Sequence, residues 1–231
     1  MEEQSTDEEN WERARKPEQI EARRAAIVAA AKRLLDEKGV EGAGLSSIAR
    51  EAGLSKANLY RYFESREAVL IEILLFELKS WTASLGQRLN ELPPNGGVSA
   101  VAQVVADSLE GRARFCELLA SLASVLERNL GMEAIENYKR ELKAEYISLI
   151  PPLQAALPQL SKSQANEFLI MQAMFQIGLW SHAKPADSVV EVLKSEEFSD
   201  LRMDFFERIR WHSLILLRGL ESMDQPRTKP Q

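Results

Sequence analysis

Apolar side chains in this chain recur at steps of three and four between a few proline and glycine breaks, with no strand-length alternation. Ile27, Ala30, Ala31, Leu34 and Leu35 show the spacing first, and it returns in every periodic segment to the end. A repeat of this kind makes one stripe on a helix and scatters over both faces of a strand. The composition agrees, with 11 glycines and 9 prolines in 231 residues and few β-branched or aromatic runs. The expected fold is all-α.

The breaks divide the chain. Residues 1–17 are polar and charged and read as a disordered arm. A first helix is expected from Pro17 to Lys38, stopped by Gly39. A second fits Leu45–Glu51 and is broken by Gly53, and a third, capped by Ser55, fits Lys56–Phe63. Ser65 caps a fourth that runs to about Leu92, where two prolines and two glycines lie within five residues. Further helices are expected over Val98–Ser108, Arg112–Arg128, and from Met132 to a kink or end at Pro151–Pro152. Others should run from the Ser161 cap to Ala183, over Ser188–Leu193, and over Asp200–Ser222. The domains implied are 18–66 and 67–224, with a disordered tail over 225–231.

Charge is unevenly placed. Residues 1–12 carry six acidic and no basic side chains. Residues 13–66 carry twelve Lys/Arg against seven Asp/Glu, a local +5 in a chain of net −6. A basic segment of this size suits a small surface that meets phosphates, and a merely solvated face explains the charge alone equally well.

The most specific pattern is Ile48-Ala49-Arg50-Glu51-Ala52-Gly53-Leu54-Ser55, followed at once by Lys56-Ala57-Asn58-Leu59-Tyr60-Arg61-Tyr62-Phe63. Two short helices meet at a tight turn, with Ala49 small at the crossing, Gly53 permitting the turn, and Leu54 and Leu59 beneath. This is helix-turn-helix patterning, shared with generic helical hairpins.

The flanks narrow the choice. Ile27-Val28-Ala29-Ala30-Ala31, Gly39-Val40, Ile48-Ala49, Ala52-Gly53-Leu54-Ser55, Leu59-Tyr60-Arg61-Tyr62-Phe63 and Ser65-Arg66-Glu67-Ala68-Val69-Leu70 together resemble the DNA-binding domain of the tetracycline-repressor (TetR) family. The resemblance covers about one fifth of the chain. Gly44 stands where the family usually has Ser or Thr, so a hydroxyl contact to phosphate is lost, and Ser46 or Ser47 is the replacement. Arg66 stands where Lys is common.

The resemblance implies a three-helix DNA-binding domain, then a helical ligand-binding and dimerisation domain. The third helix becomes the recognition helix in the major groove. Lys56, Asn58 and Arg61, with Ala57 among them, are placed to reach base edges, arginine and lysine suiting guanine and asparagine adenine. Tyr60 meets a base methyl or a phosphate, and Tyr62 and Arg66 hold phosphates. Leu59 and Phe63 read as core. Arg13, Arg15 and Lys16 form either a minor-groove arm or a solvated tail.

Beyond residue 67 the resemblance implies a pocket for a small, mostly apolar effector. Trp81, Phe115, Cys116, Met132, Met171, Met174, Phe175 and Trp180 are candidates for its wall, each also readable as plain core. Two copies would pair through the last two long helices and face a pseudo-palindromic double-stranded operator. The alternative is a helical ligand-binding or protein-interaction module without specific DNA recognition.

Other chemistry finds no support. The single cysteine excludes an intrachain disulfide, and the two histidines, His182 and His212, are thirty residues apart with no metal-ligand spacing. No catalytic constellation or cofactor motif is present. The first residues do not read as a secretory leader and no run is long enough to span a membrane, so the expectation is a cytoplasmic regulator, not an enzyme.

Overall fold

A computed structural model describes residues 5–93 and 96–223, with side chains from residue 18 onward. Eleven α-helices and two short 3₁₀ segments are found among them, and no strand. The helices are α1 (Ser5–Gly42), α2 (Leu45–Glu51), α3 (Lys56–Leu59), α4 (Arg66–Asn90), α5 (Gly97–Asp107), α6 (Ala113–Ser121), α7 (Met132–Ser148), α8 (Ile150–Ala156), α9 (Lys162–Ala183), α10 (Asp187–Val192) and α11 (Phe205–Glu221).

The head of the molecule is α1 to α3. Helix α1 begins at Ser5 rather than Pro17, so the backbone over 5–17 is helical where an arm without structure was expected. Acidic residues crowd the first turns of that stretch, where the helix dipole favours them. The side chains of Arg13, Arg15 and Lys16, and the tail over 225–231, lie outside the described residues. The helix breaks at Gly39, whose φ of 65° and ψ of −173° leave the helical region. A Cβ there would sit 2.7 Å from a carboxylate oxygen of Glu117, which accepts the Val40 N–H at 2.7 Å.

Helix α4 is the spine. At 25 residues it is roughly 37 Å long. Val69, Leu70, Ile73, Leu74, Leu78, Trp81, Leu85 and Leu89 are all buried along it. It contacts α1 at one end and α5, α6, α7 and α8 along its length. Ser65 caps its start, accepting from the Ala68 N–H at 3.0 Å. Helix α7 stops at Ser148, and α8 restarts with Pro151 and Pro152 in its first turn, where a missing N–H costs nothing.

Two helix boundaries in the body move by several residues. The helix expected over Arg112–Arg128 ends at Ser121 and gives way to a 3₁₀ turn at Leu126–Asn129. The last helix begins at Phe205, because Asp204 caps it by accepting the Glu207 N–H at 2.7 Å. The residues before it form a second 3₁₀ segment, Glu196–Leu201. Helices α9 and α11 pack together, and α11 also rests on α5.

Candidate nucleic-acid interface and effector core

Helices α2 and α3 meet through a turn in which Gly53 takes φ 67° and the Leu54 N–H reaches the Ala49 carbonyl at 2.8 Å. Ser55 opens α3, its hydroxyl accepting the Asn58 N–H at 3.2 Å. Helix α3 is a single turn, shorter than expected, and Tyr60 to Tyr62 continue as hydrogen-bonded turns off the Lys56, Asn58 and Leu59 carbonyls. Leu59 and Phe63 are buried. Lys56, Ala57, Asn58, Tyr60 and Arg61 are exposed around them, and Tyr60 keeps 56% of its surface. Ser46 and Arg50 of α2 are exposed on the neighbouring helix, with Ser47 half-buried. Lys56 and Arg61 form no ion pair among the described residues.

Two arginines hold this unit from behind. Arg24 stacks over the Phe63 ring at 4.2 Å and donates to the Tyr62 carbonyl and to Glu72. Arg66, expected on phosphate, donates to the Ala43 carbonyl at 2.8 Å and to the Val40 carbonyl, beside Glu67. Its guanidinium closes the chain between α1 and α2. Arg24 was missed because one arginine among many in a helix carries no signal of its partner.

The expected effector residues separate into three groups. Trp81, Phe115 and Cys116 come together in the interior, with the Trp81 and Phe115 rings stacked 5.3 Å apart. Tyr146 joins them from α7, its ring 5.9 Å from Trp81. The Trp81 N–H donates to the Ser108 hydroxyl at 2.9 Å, and Gln176 reaches the Cys116 sulfur at 3.6 Å. Burial pushes the Cys116 thiol up to about 12, so it stays protonated and inert. In a second group, Trp180 packs edge-on to Phe205, while Phe175 stacks on His212 at 3.8 Å.

The third group faces solvent. Met132 is 86% exposed at the first position of α7, and Met171 and Met174 lie on the outer face of α9. Polar and apolar residues are spread around every side of α9, with Gln172 and Gln176 among the buried ones, so its periodicity does not choose a face. Sequence reasoning missed Tyr146, although Tyr138, Leu142 and Tyr146 repeat at steps of four, the inward stripe of α7.

A groove of about 790 Å³ opens beside this core, lined by Lys79, Thr82, Gly86, Glu145, Ser148 and Pro152 among others. The Thr82 hydroxyl donates to Glu145 across it at 2.6 Å. A second hollow of about 390 Å³ lies between His182, Pro185, Val190, Arg202 and Met203. Head and body are tied through α6. Arg114 bonds Asp36 of α1 at 2.7 Å and Glu77 of α4 at 2.8 Å, beside the Glu117–Val40 contact.

Comparison with known proteins fits this architecture. Residues 27–73 match the family model of bacterial regulatory proteins, tetR family, and residues 75–223 match a tetracyclin repressor-like C-terminal domain. The chain therefore belongs to the TetR family of helix-turn-helix transcriptional regulators. It is 24% identical over 160 residues to the regulator BetI of Vibrio vulnificus, covering 68% of this chain and 79% of BetI. It is 30% identical over 134 residues to the regulator RutR of Escherichia coli K12, covering 55% of this chain and 63% of RutR. A Thermus thermophilus FadR, a TetR-family repressor solved with lauroyl-CoA, shares the fold. Its TM-score is 0.58 at 17% identity, over 90% of this chain and 99% of that one. No helix among the described residues is long and apolar enough to cross a membrane.

Proposed function

We propose that this regulator is a dimeric repressor, released from a pseudo-palindromic operator when a small, mostly apolar effector enters the body. One observation carries the DNA half of the reading. Lys56, Asn58, Tyr60 and Arg61 stand exposed on a turn that buried Leu59 and Phe63 hold rigid. Polar side chains preset on a rigid frame are what base-edge readout requires. Ser46, Ser47 and Tyr62 are then the phosphate contacts, joined by Arg50.

Two copies are supported by the outer face of α9 and α11. Ile170, Met171, Met174, Trp211 and Ile215 are all exposed there, an apolar patch of a kind that monomers avoid. Phe175 and Leu216, on the same two helices, are half-buried within the chain. A two-fold pairing sets the recognition helices about one DNA turn apart. The effector reading is supported by the Trp81, Phe115 and Cys116 cluster on α4 and α6, the helices that also grip the head. Occupancy there changes operator affinity by a coupling of about 1–3 kcal/mol, and operator changes effector affinity equally.

The test is a gel shift with the DNA flanking the protein's own coding region, paired with sedimentation. Specific retention by a dimer of twice 26 kDa is expected. Met174→Glu with Ile215→Glu should give a folded monomer that has lost the operator. A wild-type monomer at micromolar concentration contradicts the proposal.

A further inference from the structure

We infer that the body takes an uncharged effector carrying a hydrogen-bond acceptor, an apolar molecule with a carbonyl or ether oxygen received by Tyr146 and Gln176. This rests on the effector reading above and specifies the ligand's chemistry.

Among the described residues the interior leaves the Tyr146 hydroxyl and the Gln172 amide N–H without a partner, and Tyr146 is the one beside Trp81. The Trp81 N–H goes to Ser108, and the Ser108 hydroxyl goes to the Val105 carbonyl at 2.7 Å, so both are satisfied. The Tyr146 ring is half-buried, but its hydroxyl is fully buried and has no partner. Gln176 is 2% exposed, and the bond found for its amide N–H is to the Cys116 sulfur at 3.6 Å, a weak acceptor. Buried polar groups are as a rule hydrogen-bonded, so two donors left short of oxygen in one cluster mark a place where an acceptor is missing. Beside these donors the Trp81 and Phe115 rings stack on one another, an apolar surface.

Charge on the ligand is disfavoured. Tyr146 and Cys116 are both shifted upward by burial and stay neutral donors. The nearby charged groups are engaged elsewhere. Glu145 accepts from Thr82, while Arg112 donates to the Ser108 carbonyl at 3.1 Å and the Ser80 hydroxyl at 3.2 Å. A carboxylate brought inside would find hydrogen bonds and the Arg112 charge, but at Cys116 desolvation already outweighs what Arg112 supplies to an anion. An ammonium would find only the neutral Tyr146 and Gln176 oxygens as acceptors, which do not offset its desolvation.

The experiment uses the full chain and three probes of similar shape: acetophenone, isopropylbenzene and benzoate. Binding is followed by tryptophan fluorescence and ligand-observed NMR. Wild type should prefer acetophenone, and Tyr146→Phe should weaken it about tenfold while leaving isopropylbenzene unchanged, the loss of one buried hydrogen bond. Benzoate should bind worst. The melting temperature of Tyr146→Phe without probe should equal or exceed that of wild type, since no bond is lost. Overturning results are an unchanged acetophenone affinity in Tyr146→Phe, no acetophenone binding to wild type, benzoate binding best, or a lower melting temperature for the variant. Operator affinity is measured separately. If acetophenone binds through Tyr146 yet leaves operator affinity unchanged, the ligand chemistry stands and the effector reading fails.

Discussion

Lys56, Asn58 and Arg61 in the head stand in solvent, while Trp81, Ser108, Cys116 and Gln176 in the body are buried and bonded to one another. Both sets are candidates for recognition, under opposite constraints. The head meets a partner that brings its own charge and acceptors, so its polar groups are left exposed on a rigid frame. The body has to satisfy its polar groups before any ligand arrives, and Tyr146 and Gln172 are where that fails among the described residues. A hydroxyl left over inside is informative, and an arginine exposed outside is informative only when the frame beneath it is fixed.

The largest expected effect separates interior from surface among the body's candidates. Phe115→Ala should lose about 3–5 kcal/mol of stability, because a fully buried ring is deleted beside Trp81. Met132→Ala, at an exposed position, should stay within about 0.5 kcal/mol. Urea denaturation checks both. Comparable losses would erase the distinction between the inward and outward groups.

Arg66→Ala comes next and tests where the head's arginines act. Its bonds to the Val40 and Ala43 carbonyls predict a stability loss of about 1–3 kcal/mol. The salt dependence of operator binding should then be unchanged. A phosphate contact would instead lower the slope of log affinity against log salt by about one, with little loss of stability.

A smaller effect concerns pH. Burial raises the Glu127 carboxyl, but hydrogen bonds from Lys139 and Tyr138 outweigh it and leave its pKa below the ordinary value of 4.5. The folded state therefore binds the proton less readily than the unfolded one. The stabilisation is fully present above 4.5 and is lost as pH falls through the lower folded value. Glu127→Gln should flatten the fall in melting temperature below that pH and leave operator affinity untouched. An unchanged acid slope would remove this pair from the account.

Much of the head was legible in the sequence because its signals are local. Gly39, Gly53, Ser55 and Ser65 act on their own neighbours, and each takes the role its residue type implies. The partners of Arg66 were not legible because they lie more than twenty residues away in sequence. In the body the helices were legible and their inward faces only in part. Met171 and Met174 sit on a helix with no polar side to orient it, whereas Tyr146 sits on an ordinary amphipathic stripe but was passed over for the methionine at that helix's start. Acidic residues at the start of the chain were read as disorder, although the same residues suit the first turns of a helix.

The central claim is that the exposed side chains of α3 and of the turn that follows it read bases while the frame only holds them. Operator titration by Asn58→Ala and Arg61→Ala, against a set of single-base operator variants at fixed salt, tests it most directly. Each substitution should cost about 1–3 kcal/mol on the cognate operator and relax the preference at one position per half-site, with melting temperature unchanged. Unchanged operator affinity in both folded variants, or an equal loss on every sequence, would contradict it.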